Sequence, residues 1–315
     1  MRGLDARAPG PVVVLPSQHR AFTTEPNRMT ENQMAENRTT EHELPNGRLD
    51  DIFSGPQAVA AEERSALSAR VVESVRERFG EHLQHLVLYG STGRGEDRPH
   101  SDIDLWGIVS DELYGAQFQK AIEWVYGPGK ILVMLFSRTT AEAVAREVDE
   151  SWPITRAKFL HSRLVWASPG NENLLAELRA IAANPDPERA GRAMAGIISG
   201  TLYELMGKLR NRSAPHAMIA GTFAMHLALV TGLGARYAYT TFGAVLREAL
   251  NLPGPDGAKE LYAMVLSGEL SDIARVEAVV ERAWAGLSSW QAGPAFTAAL
   301  QRRVSHTFGS IEAVA

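Results

Sequence analysis

The sequence has no cysteine among its 315 residues. Disulfide bonds and thiolate metal sites are therefore excluded. A long apolar run is also missing, and the short run from Pro11 to Pro16 is too brief and too rich in flanking proline to form a signal-peptide core. These absences predict a cytoplasmic protein without a membrane partner.

An excess of positive charge is missing as well, because 32 Lys and Arg residues stand against 37 Asp and Glu residues for a formal net charge of −5. Domains that bind nucleic acid usually carry a basic face. The balance therefore predicts no nucleic-acid partner. The length is typical of about two domains. Residues 1–55 are rich in Pro, Asn, Thr, Glu and Arg without a sustained apolar period, so we expect a disordered extension.

The apolar pattern changes its period along the chain. A helical period covers residues 57–78, and after Pro169-Gly170 the pattern is helical to the end of the chain. Between these parts, apolar runs predict strands at about 85–90, 102–109, 130–136 and 163–167 and a helix at 113–126. The predicted fold class is thus α+β, with a mixed sheet and flanking helices at 56–170 and an all-α helical bundle at 171–315.

Two motifs carry the chemistry, Gly90-Ser91-Thr92-Gly93-Arg94 and Ser101-Asp102-Ile103-Asp104-Leu105. Side chains alternate along a strand, so Asp102 and Asp104 share one face with their Cα atoms roughly 6 to 7 Å apart. Two such carboxylates raise each other's pKa unless a cation lies between them. Mg²⁺ prefers oxygen ligands and completes its shell with water and phosphates. The second motif therefore predicts a magnesium site.

The first motif suits a phosphate. Gly90 and its neighbouring glycines allow the backbone to approach closely, Ser91 and Thr92 offer hydroxyl and amide donors, and Arg94 adds a cation. A Gly-Ser pair alone is a weak signal, and Asp-x-Asp alone is often a solvated strand end. Together, at the ends of two apolar strands, they predict a site for a nucleoside triphosphate with its metal.

The two motifs resemble the nucleotidyltransferase superfold of the polymerase-β type. Further segments resemble the kanamycin nucleotidyltransferase family, also called the aminoglycoside 4′-nucleotidyltransferase family, in the same order over about residues 85 to 292. They are Glu123-Trp124, Ser151-Trp152-Pro153, Gly207-Lys208 with Arg210-Asn211, Tyr239-Thr240-Thr241, and Ser267-Gly268 with Leu270-Ser271-Asp272. The resemblance implies a transferase that moves AMP from Mg-ATP to a hydroxyl of a small acceptor, and it favours an antibiotic as that acceptor, modified for resistance or self-protection. It also implies a homodimer whose active site is shared between subunits.

The resemblance assigns roles that spacing does not. Four residues separate Glu204 from Lys208, which by itself favours an exposed helical salt bridge. In the family, the matching glutamate is the general base and the matching lysine contacts the nucleotide phosphates. Thr240 matches a segment near the nucleotide, although threonine at a helix start is often an N-cap. Ser101 either orients the turn or caps it.

The sequence departs from the family at the acceptor and metal side. Leu132 stands where the family has a third carboxylate, and Gly200 and Thr201 replace glutamates, whereas Glu123 is retained as an acceptor contact or a solvated helix residue. We therefore expect an acceptor that is less cationic than kanamycin. Two alternatives remain: a degenerate module that binds nucleotide without turnover or acts as an antitoxin, and a nucleotidyltransferase acting on protein or tRNA.

Overall fold

A computed structural model describes residues 53–126, 129–290 and 293–304. The disorder expected for residues 1–55 falls almost wholly outside these ranges. The described part of the chain forms a five-stranded mixed sheet with helices on both faces, followed by a succession of helices. The predicted α+β class is confirmed, while the division at residues 170 and 171 stays a prediction.

The first half of the described chain contains the sheet. Its elements are α1 (Ala61–Phe79), a 3₁₀ turn (Gly80–His82), β1 (Leu83–Tyr89), α2 (Gly90–Arg94), β2 (Ile103–Val109), α3 (Asp111–Tyr114), β3 (Gln119–Tyr126), β4 (Gly129–Ser137), α4 (Arg138–Arg146), α5 (Trp152–Thr155), α6 (Ala157–Leu160), β5 (Arg163–Ala167) and α7 (Leu174–Ala182). The predicted strands at 85–90, 102–109, 130–136 and 163–167 are confirmed.

The second half is helical. Its elements are α8 (Pro187–Ile197), a π-helical segment (Ile198–Leu202), α9 (Tyr203–Arg210), α10 (His216–Ala235), a 3₁₀ turn (Phe242–Ala244), α11 (Val245–Ala249), α12 (Ala258–Ser267), α13 (Ile273–Ser289) and α14 (Pro294–Val304). The predicted helix from Glu188 to Arg212 is therefore one helical run, α8 to α9, with a π segment inside it.

The strand order β3-β4-β2-β1-β5 places β1 and β2 in the middle of the sheet. Strands β2 and β4 run parallel and the other neighbours run antiparallel. Helix α1 covers one face with Leu67, Val71 and Val75, which recur every four residues and so form one apolar stripe. Helices α4 and α7 cover the other face, around Trp106. The two strands that carry the motifs are thus held from both faces.

The prediction of a helix at 113–126 was wrong. The helix α3 ends at Tyr114, where Gly115 adopts a φ of +80°, and residues 119–126 form β3 instead. This strand pairs antiparallel with β4, with Tyr126 opposite Gly129. Ile122 and Val125 suit a pleated strand better than a helix, and tertiary pairing with β4 decided the outcome.

The expectation that no long apolar run is present was wrong for one segment. Helix α10 is long and apolar enough to cross a membrane by length and composition, but 56% of its most apolar stretch is buried inside the protein. Its buried side chains include Phe223, Leu227 and Val230, which lie in the main core of the helical half. The apolar character of α10 is therefore accounted for by its central place in that core.

The segment after α10 packs against the sheet half of the chain. The backbone N–H of Tyr239 donates to the carbonyl of Pro153 over 2.6 Å, and its phenol donates to the carbonyl of Ala228 over 2.6 Å. The His161 ring contacts the carbonyl of Ala238 at 3.1 Å. These contacts bring the neighbouring Thr240 to the end of β1.

Acid should destabilise this fold through His85, which is fully buried on β1 against Trp106. Burial lowers the pKa of His85 from 6.5 to about 4, and the nearby Asn171 backbone offsets only part of this effect. The unfolded chain therefore binds more protons than the folded chain between these two values, so stability is full above the higher one and falls as the pH drops below it.

We expect the unfolding free energy to be about 2 kcal/mol lower at a pH near 5 than near 7.5 because of this one residue. Replacing it in a His85→Leu variant should remove that part of the loss, as measured by urea denaturation at both pH values. An equal loss in the variant and the parent would contradict the role of His85.

Candidate active site

Asp102 and Asp104 lie where β2 begins, beside the end of β1. Asp104 is opposite Tyr89 of β1 and opposite Leu132 of β4. Gly90 follows Tyr89 with a φ of +67°, and a Cβ added there would lie 2.9 Å from Oδ2 of Asp104. Because only a glycine leaves room at this φ, the turn and the carboxylate can lie against each other.

Asp104 lies in an unfavourable electrostatic environment. Burial and then the charge of Asp102 raise the pKa of Asp104 to about 7, against a smaller opposite effect of Lys130. Burial, Asp104 and Asp102 also raise the pKa of Tyr89. A divalent cation would relieve this repulsion, and two carboxylates are a suitable partial donor set for Mg²⁺.

A third acidic ligand is not part of this site. Among the described residues, no group of three or more His, Cys, Asp or Glu side chains is arranged to hold a metal. Leu132 lies next to Asp104 in the sheet, at the place where the sequence analysis noted a missing carboxylate. The protein therefore offers two carboxylates, and water or phosphate oxygens would have to supply the other ligands.

Hydrogen bonds tie the two motifs together. The Ser91 hydroxyl donates to the Ser101 hydroxyl over 3.0 Å, and the Thr92 hydroxyl donates to the Asp102 carbonyl over 2.8 Å. Ser101 Oγ also accepts from the Arg98 N–H over 2.9 Å. Of the two possibilities for Ser101, the contacts fit the orientation of the turn. The hydroxyls of this turn hold the strand ends in register.

Arg94 joins the turn to the helical half of the chain. One guanidinium nitrogen donates to the Gly90 carbonyl over 2.8 Å and to the Thr240 carbonyl over 3.1 Å. Arg94 also pairs with Glu96 over 2.8 Å. Thr240 donates both its N–H and its hydroxyl to Glu248. Thr240 is therefore anchored beside the first motif. Thr241 occupies the N-cap position of the short helix that follows, and its side chain makes no capping hydrogen bond.

Glu123 lies in the sheet rather than on a helix, which corrects the position given by the sequence analysis. It is opposite Leu132, which in turn is opposite Asp104, so the three residues form one row across β3, β4 and β2. Lys130 pairs with Glu123 over 3.0 Å. The charges of Asp102 and Asp104 add to this pairing in raising the pKa of Lys130.

Lys130 was missed from the sequence. It lies two residues before Leu132 on β4, so strand alternation puts the two side chains on the face that Asp104 also uses. The alternation along β4 could have indicated from the sequence that Lys130 and Leu132 share a face. It points to the ion pair with Glu123 only once residues 119–126 are known to form a strand beside β4. Lys130 makes this row of the sheet less negative than its acidic residues suggest.

Glu204 and Lys208 lie on the helical half. Their side chains form an ion pair of 2.7 Å and are 67% and 47% exposed. They face a groove of about 520 Å³ lined by Ser199, Gly200, Tyr203, Glu204, Gly207, Lys208, Asn211 and Ser213. All of these residues come from the π segment, α9 and the turn after α9.

Across the described ranges, no hydrogen bond or ion pair connects Glu204 or Lys208 to Asp102 or Asp104. The predicted residues thus fall into two groups. One surrounds the ends of β1 and β2 and includes Thr240, and the other surrounds the groove.

Known proteins show similarity to both halves of the chain. A family model described as the nucleotidyltransferase domain matches residues 68–152, and one described as the KNTase C-terminal domain matches residues 172–295. Two aminoglycoside nucleotidyltransferases (4′), from Bacillus sp and Staphylococcus aureus, are each 28% identical over 258 residues, which covers 80% of this chain and 99% of theirs. A nucleotidyltransferase-like protein of known structure from Exiguobacterium sibiricum aligns with 13% identity and a TM-score of 0.41 over 74% of both chains.

Gly90 offers a sharp test of the site. Gly90→Ala should lower the affinity for a magnesium–nucleotide complex by about tenfold or more, because the added Cβ would push against the Asp104 carboxylate. Gly95→Ala is the matched control, since Gly95 has a similar φ of +70° with nothing within 4 Å of the added Cβ.

Both variants carry similar backbone strain, and Gly90→Ala adds the close contact with Asp104, so Gly90→Ala should lose at least as much thermal stability as Gly95→Ala. Titration with a fluorescent ATP analogue in the presence of Mg²⁺ separates the two effects. Equal affinities in the two alanine variants would show that the contact between Gly90 and Asp104 does not matter for binding.

Proposed function

We propose that this chain, an enzyme that carries a nucleotidyltransferase domain followed by a KNTase C-terminal domain, transfers AMP from Mg-ATP to a hydroxyl of a small antibiotic. The observation that supports this most is the pair Asp102 and Asp104 lying against the Gly90 turn inside the matched nucleotidyltransferase domain. We propose residues 56–170 and 171–315 as the two domains, and both contribute residues to the proposed reaction.

Asp102 and Asp104 would hold the Mg²⁺ ion, whose chemistry in this role is to neutralise phosphate charge. The backbone and hydroxyl groups of Gly90, Ser91 and Thr92 would face the phosphates, with Ser101 orienting the turn. Arg94 already bonds the Gly90 and Thr240 carbonyls. It would therefore shape the nucleotide site as well as add positive charge to it.

The transfer itself needs a base and a leaving group. The acceptor oxygen would form a bond to the α-phosphorus while the bond to pyrophosphate breaks, and the hydroxyl proton would pass to Glu204. Lys208 would hold the phosphates from the same helix. Glu204 is suited to this task by its exposure, since its carboxylate opens onto a groove that an acceptor can reach.

We infer a homodimer with shared sites, because the exposed Glu204 and Lys208 pair with each other rather than with the aspartates in the described part of one chain. Glu204 and Lys208 have no bond to the aspartates within the described part of one chain, so the groove of one subunit would face the aspartates of its partner. In a two-fold dimer the arrangement repeats, and two equivalent sites result. We expect this assembly to work in the cytoplasm, apart from membranes and nucleic acids.

The acceptor would be an aminoglycoside-like antibiotic, as in the two similar proteins, or a less cationic relative of one. Polycationic acceptors are bound by carboxylates. Here the Glu123 carboxylate is paired with Lys130 over 3.0 Å, and its neighbour Leu132 is apolar. In the groove, Gly200 stands at a position where the resembled family has a glutamate. These features favour an acceptor with fewer amino groups, and modification of its hydroxyl would serve resistance or self-protection.

A second candidate is a module that binds nucleotide without turnover. The lack of a third acidic ligand among the described residues favours it. Transfer to a protein or tRNA is a further outcome, and the net charge of −5 weighs against the tRNA acceptor.

One assay distinguishes these functions. The purified protein is incubated with ATP, Mg²⁺ and a panel of aminoglycosides that differ in the number of amino groups, together with tRNA and a neutral sugar. We expect pyrophosphate release coupled to a gain of one AMP by an acceptor of low amine number, abolished by chelation of the metal. Nucleotide binding without pyrophosphate release would instead support the non-catalytic module.

The shared site predicts complementation between inactive variants. Asp102→Asn and Glu204→Gln should each abolish turnover, but a co-expressed mixture should recover about a quarter of the parent activity, because half of randomly formed dimers would contain one intact site of two. Glu188→Gln is the control, since Glu188 forms a similar exposed pair with Arg192 on the same helical run and should remain fully active. A mixture as inactive as its components would place both residues in one chain's site.

A further inference from the structure

A buried arginine lies behind the loop that links the two motifs. Arg64, in the first turn of α1, has a relative exposure of 2%. Its side chain points to residues 97–99, between the Gly90 turn and Asp102. The motifs themselves assign no role to Arg64, because the rest of α1 and the strand β1 lie between Arg64 and the first motif.

The guanidinium of Arg64 satisfies three acceptors at once. One nitrogen pairs with the Asp97 carboxylate, and the other donates to the Pro99 carbonyl over 2.7 Å and to the Val59 carbonyl over 3.0 Å. The Val59 N–H donates in turn to the Pro99 carbonyl over 2.8 Å. The start of α1 and the loop are thus joined by side-chain and backbone bonds in the same place.

The loop has polar contacts besides those of Arg64, because Glu96 pairs with Arg94 over 2.8 Å and the His100 ring contacts the Pro56 carbonyl at 3.1 Å. Every residue from Gly95 to His100 is exposed except Asp97, the residue that Arg64 binds. The Asp97 side chain is 18% exposed and that of Arg64 is 3% exposed. Because apolar burial does not anchor this loop, its position depends on polar bonds, and Arg64 supplies the charge-assisted bonds from the most deeply buried side chain among them.

The loop is connected to the site by hydrogen bonds and by the chain itself. Directly after the loop, Ser101 accepts a bond from Ser91 and its N–H donates to the Arg98 carbonyl over 2.9 Å. Asp102 follows, with its carbonyl bonded by Thr92. A shift of the loop would therefore move Asp102 relative to the phosphate turn without any change in the residues that touch the nucleotide.

We propose that Arg64 is a positioning residue for the nucleotide site, which through Asp97 and Pro99 sets the spacing between the Gly90 turn and Asp102. The proposal rests on the proposed function only for its effect on catalysis. The bidentate fork of arginine is essential to it, since a lysine offers a compact charge that cannot serve Asp97 and two carbonyls together.

The test uses Arg64→Lys and Asp97→Asn, two mild changes that keep much of the side-chain volume. Arg76→Lys is the matched control on the same helix, where Arg76 pairs with Glu73 and lies 5.3 Å from the centroid of the Trp166 ring. Each full-length variant is measured for KM toward ATP, KM toward the acceptor, and hydrogen exchange of the loop in the absence of ligand.

Both site variants should raise KM toward ATP by about tenfold, leave KM toward the acceptor unchanged, and speed amide exchange at residues 96–101. The double variant should be no worse than the worse single variant, because the two side chains act as one unit. Arg76→Lys should show none of these effects even if its thermal stability falls.

The proposal would be overturned if loop exchange stays slow in both site variants, or if KM toward ATP changes no more than in Arg76→Lys. The exchange measurement needs no turnover. A protein that neither binds nor uses ATP would therefore refute the proposed function while the exchange result still decides whether Arg64 holds the loop.

Discussion

The repulsion between two neighbouring carboxylates, Asp102 and Asp104, is the constraint on which the rest of this structure depends. Burial and the charge of Asp102 raise the pKa of Asp104 to about 7, so the folded chain holds a pair of acids in a place that disfavours two negative charges. A fold tolerates such a cost where a cation is to be bound. The surrounding elements are arranged to keep this pair in place.

Three kinds of contact keep Asp102 and Asp104 in place. Central strands β1 and β2 fix the backbone of the pair, the glycine turn at Gly90 lies against Asp104, and hydroxyl bonds join the two motifs. Outside them, Arg64 holds the linking loop from one side, and Arg94 connects the turn to Thr240 from the other. The helical half of the chain thereby contacts the glycine turn through Thr240.

The sequence predicted the strands and the motif residues at their ends, but it predicted a helix where β3 lies. The four strands were found because apolar runs of strand length bounded by turn residues are a local signal, and the motif residues at their ends followed from alternation. The segment 113–126 was wrongly expected to be a helix, because its mixed apolar pattern fits either period and pairing with β4 decides between them. That error hid the row from Glu123 through Leu132 to Asp104, and with it Lys130.

Residue types and short spacings were sufficient to determine the fold class and to place Asp104 on a central strand beside the glycine turn, because each depends on contacts within a few residues. The tertiary structure decided the rest. It brought Thr240 and Arg64 to a turn far away in the sequence and paired Glu123 with Lys130. The physical reason is that charge and hydrogen-bond partners depend on the packing of distant elements, which no local pattern records.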